Sequence, residues 1–158
     1  MDISFGTNEG RFNYRVCAVI IHDNKLLVMR DNDVSHYYLP GGRVRLHETA
    51  EKALLRELSE ELCIRAEIGR PLWLAQSFFT LDGTEERFHE MALYFLVNAD
   101  ESEILSKGEN FVIEENGVFH RFEWVEFAKL KDMYFYPLFL KEAIYKIPEQ
   151  LTILEEFE

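Results

Sequence analysis

The chain is short of cysteine, of basic side chains and of long apolar runs, and each shortage closes off a class of function. Cys17 and Cys63 are the only cysteines in 158 residues and no C-x-x-C pair exists. Two isolated cysteines read as reduced core residues of a cytoplasmic protein, outside any thiolate metal site. Lys and Arg number 17 against 29 Asp and Glu, a formal net charge of −12. Affinity for nucleic acid comes mainly from basic groups neutralising phosphates, so a nucleic-acid polymer is excluded as partner, and an anionic membrane surface with it. No apolar run approaches the roughly 18 residues of a membrane span. The opening MDISFGTNEGRFNYR lacks the basic and apolar regions of a signal peptide. Without internal repeats or linkers, residues 1–158 read as a single domain.

The acid is unevenly spread. Residues 1–79 hold 10 basic and 11 acidic groups, whereas residues 80–158 hold 7 and 18. A polyanion is repelled by this balance, but a small phosphorylated ligand is not, because a metal ion mediates such contacts. The acidic second half is expected to lie mostly away from the metal site and to serve solubility.

Apolar residues at 47% and charged residues at 29% describe an ordinary globular chain. Phe12 to Ile21 and Lys25 to Arg30 read as strands around a His22-Asp23-Asn24 turn. His36 to Leu39 is extended ahead of Pro40. Glu48 to Leu62 has helical spacing, with Leu54, Leu58 and Leu62 four apart. Ile64–Ile68, Trp73–Leu81 and Phe88–Val97 follow as strands, with Asp82-Gly83 as a hairpin turn. After a polar stretch come runs around Phe111–Ile113 and Val118–Val125, then a helix from Pro137 to Lys146. Strands around one central helix, with a second at the end, predict an α/β or α+β domain with a mixed sheet.

The segment GGRVRLHETAEKALLRELSEELCI, residues 41–64, carries the chemistry. On a helical wheel Glu57, Glu60 and Glu61 share one sector, beside the sector of Leu54, Leu58 and Leu62. Ala50 and Ala53 fall among the carboxylates and leave that sector low. Like charges so close repel, by about 3 kcal/mol per pair when partly buried. A divalent cation removes that repulsion, and all-oxygen ligands select Mg²⁺, Mn²⁺ or Ca²⁺.

Gly42, Glu48, Arg56-Glu57-Leu58, Glu60-Glu61 and Ile64 fall at the spacings G-x5-E-x7-R-E-U-x-E-E-x-x-U, with U aliphatic. The segment resembles the Nudix box, and Leu39-Pro40-Gly41-Gly42 resembles its usual entry. The departure is Cys63, where the family has glycine; glycine permits a left-handed helix end, and cysteine there costs about 1 kcal/mol. The resemblance implies a Nudix-type α/β/α sandwich with a mixed central sheet and a loop–helix–loop metal site. It implies Mg²⁺ or Mn²⁺ as cofactor, held by Glu57, Glu60, Glu61 and the carbonyl of Gly41, with Glu48 and Arg56 bracing the loop and Gly42 structural. The implied reaction is attack of water on the diphosphate of a nucleoside diphosphate linked to a moiety X.

Arg43, Arg45 and Arg30 are candidates to grip phosphate oxygens. The general base stays open among Glu123, beside Trp124, Glu90, a box carboxylate such as Glu57, and the weaker candidates Glu115 and His120. Tyr37, Tyr38, Phe78, Phe79 and Phe88 are candidates to stack on a base. No subfamily signature names the substrate: a proline-rich tract, the proline about fifteen residues beyond the box and a coenzyme A pattern are all missing. The alternatives are a catalytically silent nucleotide-binding module, an isomerase on the same fold, and an unrelated acidic interaction domain. A homodimer is compatible with the sequence.

Overall fold

The computed structural model describes all of residues 1–158. In chain order the elements are β1 (Ser4–Thr7), β2 (Gly10–Val19), β3 (Ile21–His22), β4 (Lys25–Asp31), β5 (Gly41–Arg43) and α1 (Ala50–Leu62). Then follow β6 (Ala66–Thr80), β7 (Arg87–Ala99), α2 (Glu101–Leu105), β8 (Asn110–Glu115), β9 (Val118–Glu126), α3 (Phe127–Leu130), α4 (Leu140–Ala143) and β10 (Thr152–Phe157). The strands divide between two sheets instead of forming one. The larger runs β1-β2-β7-β6-β10, with β5 on β2; the smaller runs β3-β4-β9-β8. The larger is mixed, since β2 is parallel to β7 and β10 to β6, while the β6–β7 and β1–β2 pairs are antiparallel.

Alternation along β2 sets the layering. Val16 and Ala18 join one core with Leu54, Leu58 and Leu62 of α1 and with Leu27 and Phe122 of the second sheet. Cys17 and Val19 face a second core with Leu130, Phe135, Leu140 and Ile144. Helical segments thus cover the large sheet on both faces. The three α1 leucines are at most 1% exposed, and each contributes about 1.5–3 kcal/mol by burial.

Four differences from the sequence expectation have local causes. The two short strands after the box are one strand, β6, because bulges between Ile68 and Arg70 and between Pro71 and Trp73 accommodate Gly69 and Pro71. The helix after Pro137 contracts to α4, since i→i+3 bonds such as Lys141 N–H to Leu138 and Tyr145 N–H to Glu142 tighten its flanks into turns. α2 arises in the polar stretch, where Asp100 caps Ser102 and Glu103. β10 takes the open edge of β6.

Candidate active site

The site is organised by α1 and the loop that leads into it. Thr49 starts the helix by accepting from the Lys52 N–H at 3.3 Å. Cys63 ends it in the left-handed conformation, φ 54° and ψ 36°, so the turn that glycine ordinarily serves is made with cysteine. Cys63 is exposed at that cap, not in the core, whereas Cys17 is buried, its thiol pushed up to about 12 by burial.

Arg56 is the hub of the loop–helix junction. Its Nε and Nη2 donate to the two oxygens of Glu48 at 2.8 and 3.0 Å. Nη1 donates to Glu57 at 2.5 Å and reaches Glu60 at 3.5 Å, and Nη2 also donates to the Arg43 carbonyl at 3.1 Å. These bonds pull the Glu48 carboxyl down to about 2. Glu48 in turn accepts from the Arg45 N–H at 3.0 Å, so one guanidinium ties the loop to the helix.

Gly42 makes room for this arrangement. A Cβ there would lie 2.3 Å from the Glu57 carboxyl carbon and 2.6 Å from both its oxygens. Gly41, at φ 147°, is pressed against β2, where a Cβ would meet the Val16 carbonyl oxygen at 2.1 Å. Its N–H donates to Glu61 at 3.2 Å. Glu61 is only 8% exposed; burial, and then the Glu57 charge, push it up to about 8 against the pull of that N–H. Ala53 is wholly buried and packs in the core with the α1 leucines. Glu60 is the exposed member, its side chain 40% accessible.

No three His, Cys, Asp or Glu side chains converge on a common ion position. Glu57 and Glu60 are turned toward Arg56 instead. The donor set nevertheless fits a hard divalent cation: only oxygens are offered, with the Glu61 carboxylate buried against the Gly41 turn.

Beside Gly41 and Glu61 opens a cavity of about 480 Å³ over the face of the large sheet. Arg43 lines it and donates to Asn13 at 2.9 Å, while Asn13 donates to Glu90 at 2.6 Å. Registers continue the row, Glu90 beside Ser77 and Ser77 beside Glu156. Asn13 and Ser77 are 2% and 6% exposed. Asp82, Glu90, Glu156 and Glu158 all line the cavity, so part of the acidic second half borders the site instead of lying away from it. Strand pairing across the sheet brings them there.

The other candidates are dispersed. Arg45 reaches Asp2 at 3.7 Å, and Arg30 lies over the Tyr37 ring, 5.0 Å from its centroid; neither lines the cavity. Glu123 sits on β9, opposite Val28, and influences Tyr37. His120 is held between Asp31 and Glu115 at 2.5 and 2.9 Å. Tyr38, Phe79 and Phe88 line the cavity; Phe78 stacks on Phe157 at 4.9 Å. Arg15, which the sequence reading did not single out, lies within the cavity. The period-2 pattern Asn13, Arg15, Cys17 on β2 was its only signal.

The NUDIX domain family model matches residues 11–144. The chain belongs to the Nudix family. Membership makes it, as a class, a Nudix hydrolase; the family uses divalent metals and acts on small nucleotide-type substrates. Among solved structures, a UDP-X diphosphatase is similar at TM-score 0.62 and 16% identity, over 90% of this chain and 66% of that one. This chain thus spans just under two thirds of that protein's length. A MutT protein from Methanosarcina mazei matches at TM-score 0.58 and 20% identity, over 89% and 95% of the two chains. An ADP-ribose pyrophosphatase from Streptococcus suis matches at 0.53 and 14%, over 92% and 98%. At these identities the likeness is one of fold. No curated protein sequence matches. No helix is long and apolar enough to cross a membrane.

Proposed function

We propose that this Nudix domain, extending over residues 1–158, is a metal-dependent pyrophosphohydrolase that cleaves the diphosphate of a nucleoside diphosphate linked to a moiety X. The observation that carries the reading is the junction of Glu57 and Glu61 with the Gly41-Gly42 turn at the edge of a cavity large enough for a small nucleotide. Glu57, Glu60, Glu61 and the Gly41 carbonyl would hold Mg²⁺ or Mn²⁺. Bound there, the metal would neutralise diphosphate charge and lower the pKa of the attacking water.

The chain's own residues supply the rest. Arg56 and Glu48 fix the rotation of α1 against the loop, which sets where the carboxylates point. Arg43, anchored on Asn13, offers its remaining N–H groups to phosphate oxygens at the cavity wall. Of the bases considered outside the box, Glu90 alone lines the cavity, which supports it over Glu123 as acceptor of the water proton. The Asn13 bond fixes the orientation of its carboxylate.

The test is release of mononucleotide from a panel of nucleotide sugars, dinucleotides and nucleoside triphosphates with Mg²⁺ or Mn²⁺. Turnover that falls by at least about a thousandfold in Glu60→Gln, with the far-ultraviolet spectrum unchanged, is the expected result. Tight nucleotide binding with no turnover on any member would make the protein a nucleotide-binding module instead.

A further inference from the structure

Arg15 is a basic residue of the cavity that makes no close ion pair. It projects from β2 into the cavity, and its Nε is buried with no hydrogen-bond acceptor. Its register neighbours toward the far side are Ala92 and Ala75, whose methyl groups leave the floor beside it low. Against the cost of burial, the charge of Glu90 and, more weakly, that of Glu61 keep it in the charged form. A buried Nε–H with no acceptor is costly unless a ligand oxygen completes it.

The far end of the same cavity is of opposite character. Glu156 on β10 lies three strand spacings from β2, roughly 14 Å at about 4.8 Å each, and Asp82 and Glu158 line the cavity with it. Glu156 accepts from the Phe139 N–H through one oxygen, and its other oxygen is buried and unpartnered. Partial burial and the charges of Glu156 and Asp82 raise Glu158 to about 7, and none of the three carboxylates takes part in an ion pair. Ionised carboxylates only accept hydrogen bonds. Sugar hydroxyls donate to such acceptors, whereas an anionic group on X would meet fixed negative charge.

We propose that Arg15 is the cavity's anchor for the substrate diphosphate, and that Asp82, Glu156 and Glu158 select a neutral, hydroxyl-bearing X, a sugar, and reject an anionic one. This rests on the hydrolase reading above. The experiment compares a nucleoside diphosphate hexose with the corresponding hexuronate, same base, at pH 8.5. Binding is measured by calorimetry without metal, and mononucleotide release with Mg²⁺.

The hexuronate is expected to bind at least about tenfold more weakly, because its carboxylate meets fixed carboxylates. Glu156→Gln with Glu158→Gln should erase most of that preference while both proteins bind the hexose. Arg15→Gln should weaken hexose binding about ten- to a hundredfold, the worth of charged hydrogen bonds. Arg15→Lys should recover part of it and keep the hexose preference. Equal binding of the two sugars, an unchanged preference in the double variant, or no effect of Arg15→Gln overturns the proposal. Discrimination without turnover would sustain it while removing the hydrolase reading; turnover without discrimination does the reverse.

Discussion

Replacing Arg56 is the sharpest perturbation of the loop–helix junction. The side chains of Arg56 and Glu48 are 18% and 16% exposed, so the pair is only weakly screened. Hydrogen bonds to charged groups contribute about 1.5–3 kcal/mol each. Two bonds to Glu48 at the low end of that range suggest about 3 kcal/mol for Arg56→Met, and about 2 for Arg56→Lys, which keeps charge but cannot fork. For a chain of this size that is a fall in Tm of about 6–12 °C for the methionine variant. Guanidinium denaturation gives the free energy directly.

Two signatures accompany the loss. Glu57 and Glu60 are left uncompensated, so saturating Mg²⁺ should stabilise the variant more than the parent. Glu48, held near 2 by Arg56 against an ordinary 4.5, contributes stability that is present above pH 4.5 and lost as pH falls toward 2. That acid limb should flatten in Arg56→Met. A loss under about 1 kcal/mol, with an unchanged acid limb and no added response to Mg²⁺, would refute the role of Arg56 as the brace.

Gly42→Ala puts a methyl where the Glu57 carboxyl lies, so kcat should fall at least about a hundredfold, while chemical denaturation shows little lost stability. Cys63→Gly relieves a left-handed non-glycine residue and should stabilise by about 0.5–1 kcal/mol, read as a raised denaturation midpoint. Burial disfavours the charged form of His120, but its bonds to Asp31 and Glu115 outweigh it and leave its pKa raised. Its contribution is therefore full below the ordinary histidine pKa of 6.5 and lost as pH rises through the raised value; His120→Gln should remove that decline from a Tm-against-pH profile. Leu58→Ala, fully inside the core, should cost about 2–4 kcal/mol.

The box was legible because its chemistry is local. Glu48, Arg56, Glu57 and Gly42 meet within one loop and one helix, so spacing alone places them together. Arg15, Glu90, Ser77 and Glu156 meet only because β2, β7, β6 and β10 lie side by side. That pairing depends on two parallel contacts between segments far apart in sequence. The same non-locality explains why β10 went unread, and why Glu123 and Glu90, equal candidates in sequence, end on different sheets. Periodicity placed the α1 leucines in the core but gave no sign that Gly69 and Pro71 sit within bulges of a continuous strand.

Glu57, Glu60, Glu61 and the Gly41 carbonyl are together proposed to hold the divalent ion. Anomalous diffraction from crystals soaked with Mn²⁺ tests this assignment most directly. A Mn²⁺ peak is expected within bonding distance, about 2.2 Å, of at least two of those carboxylates, with Glu57 released from Arg56. A peak at Asp31, Glu115 and His120, or at Asp82, Glu156 and Glu158, with none beside α1, would contradict it.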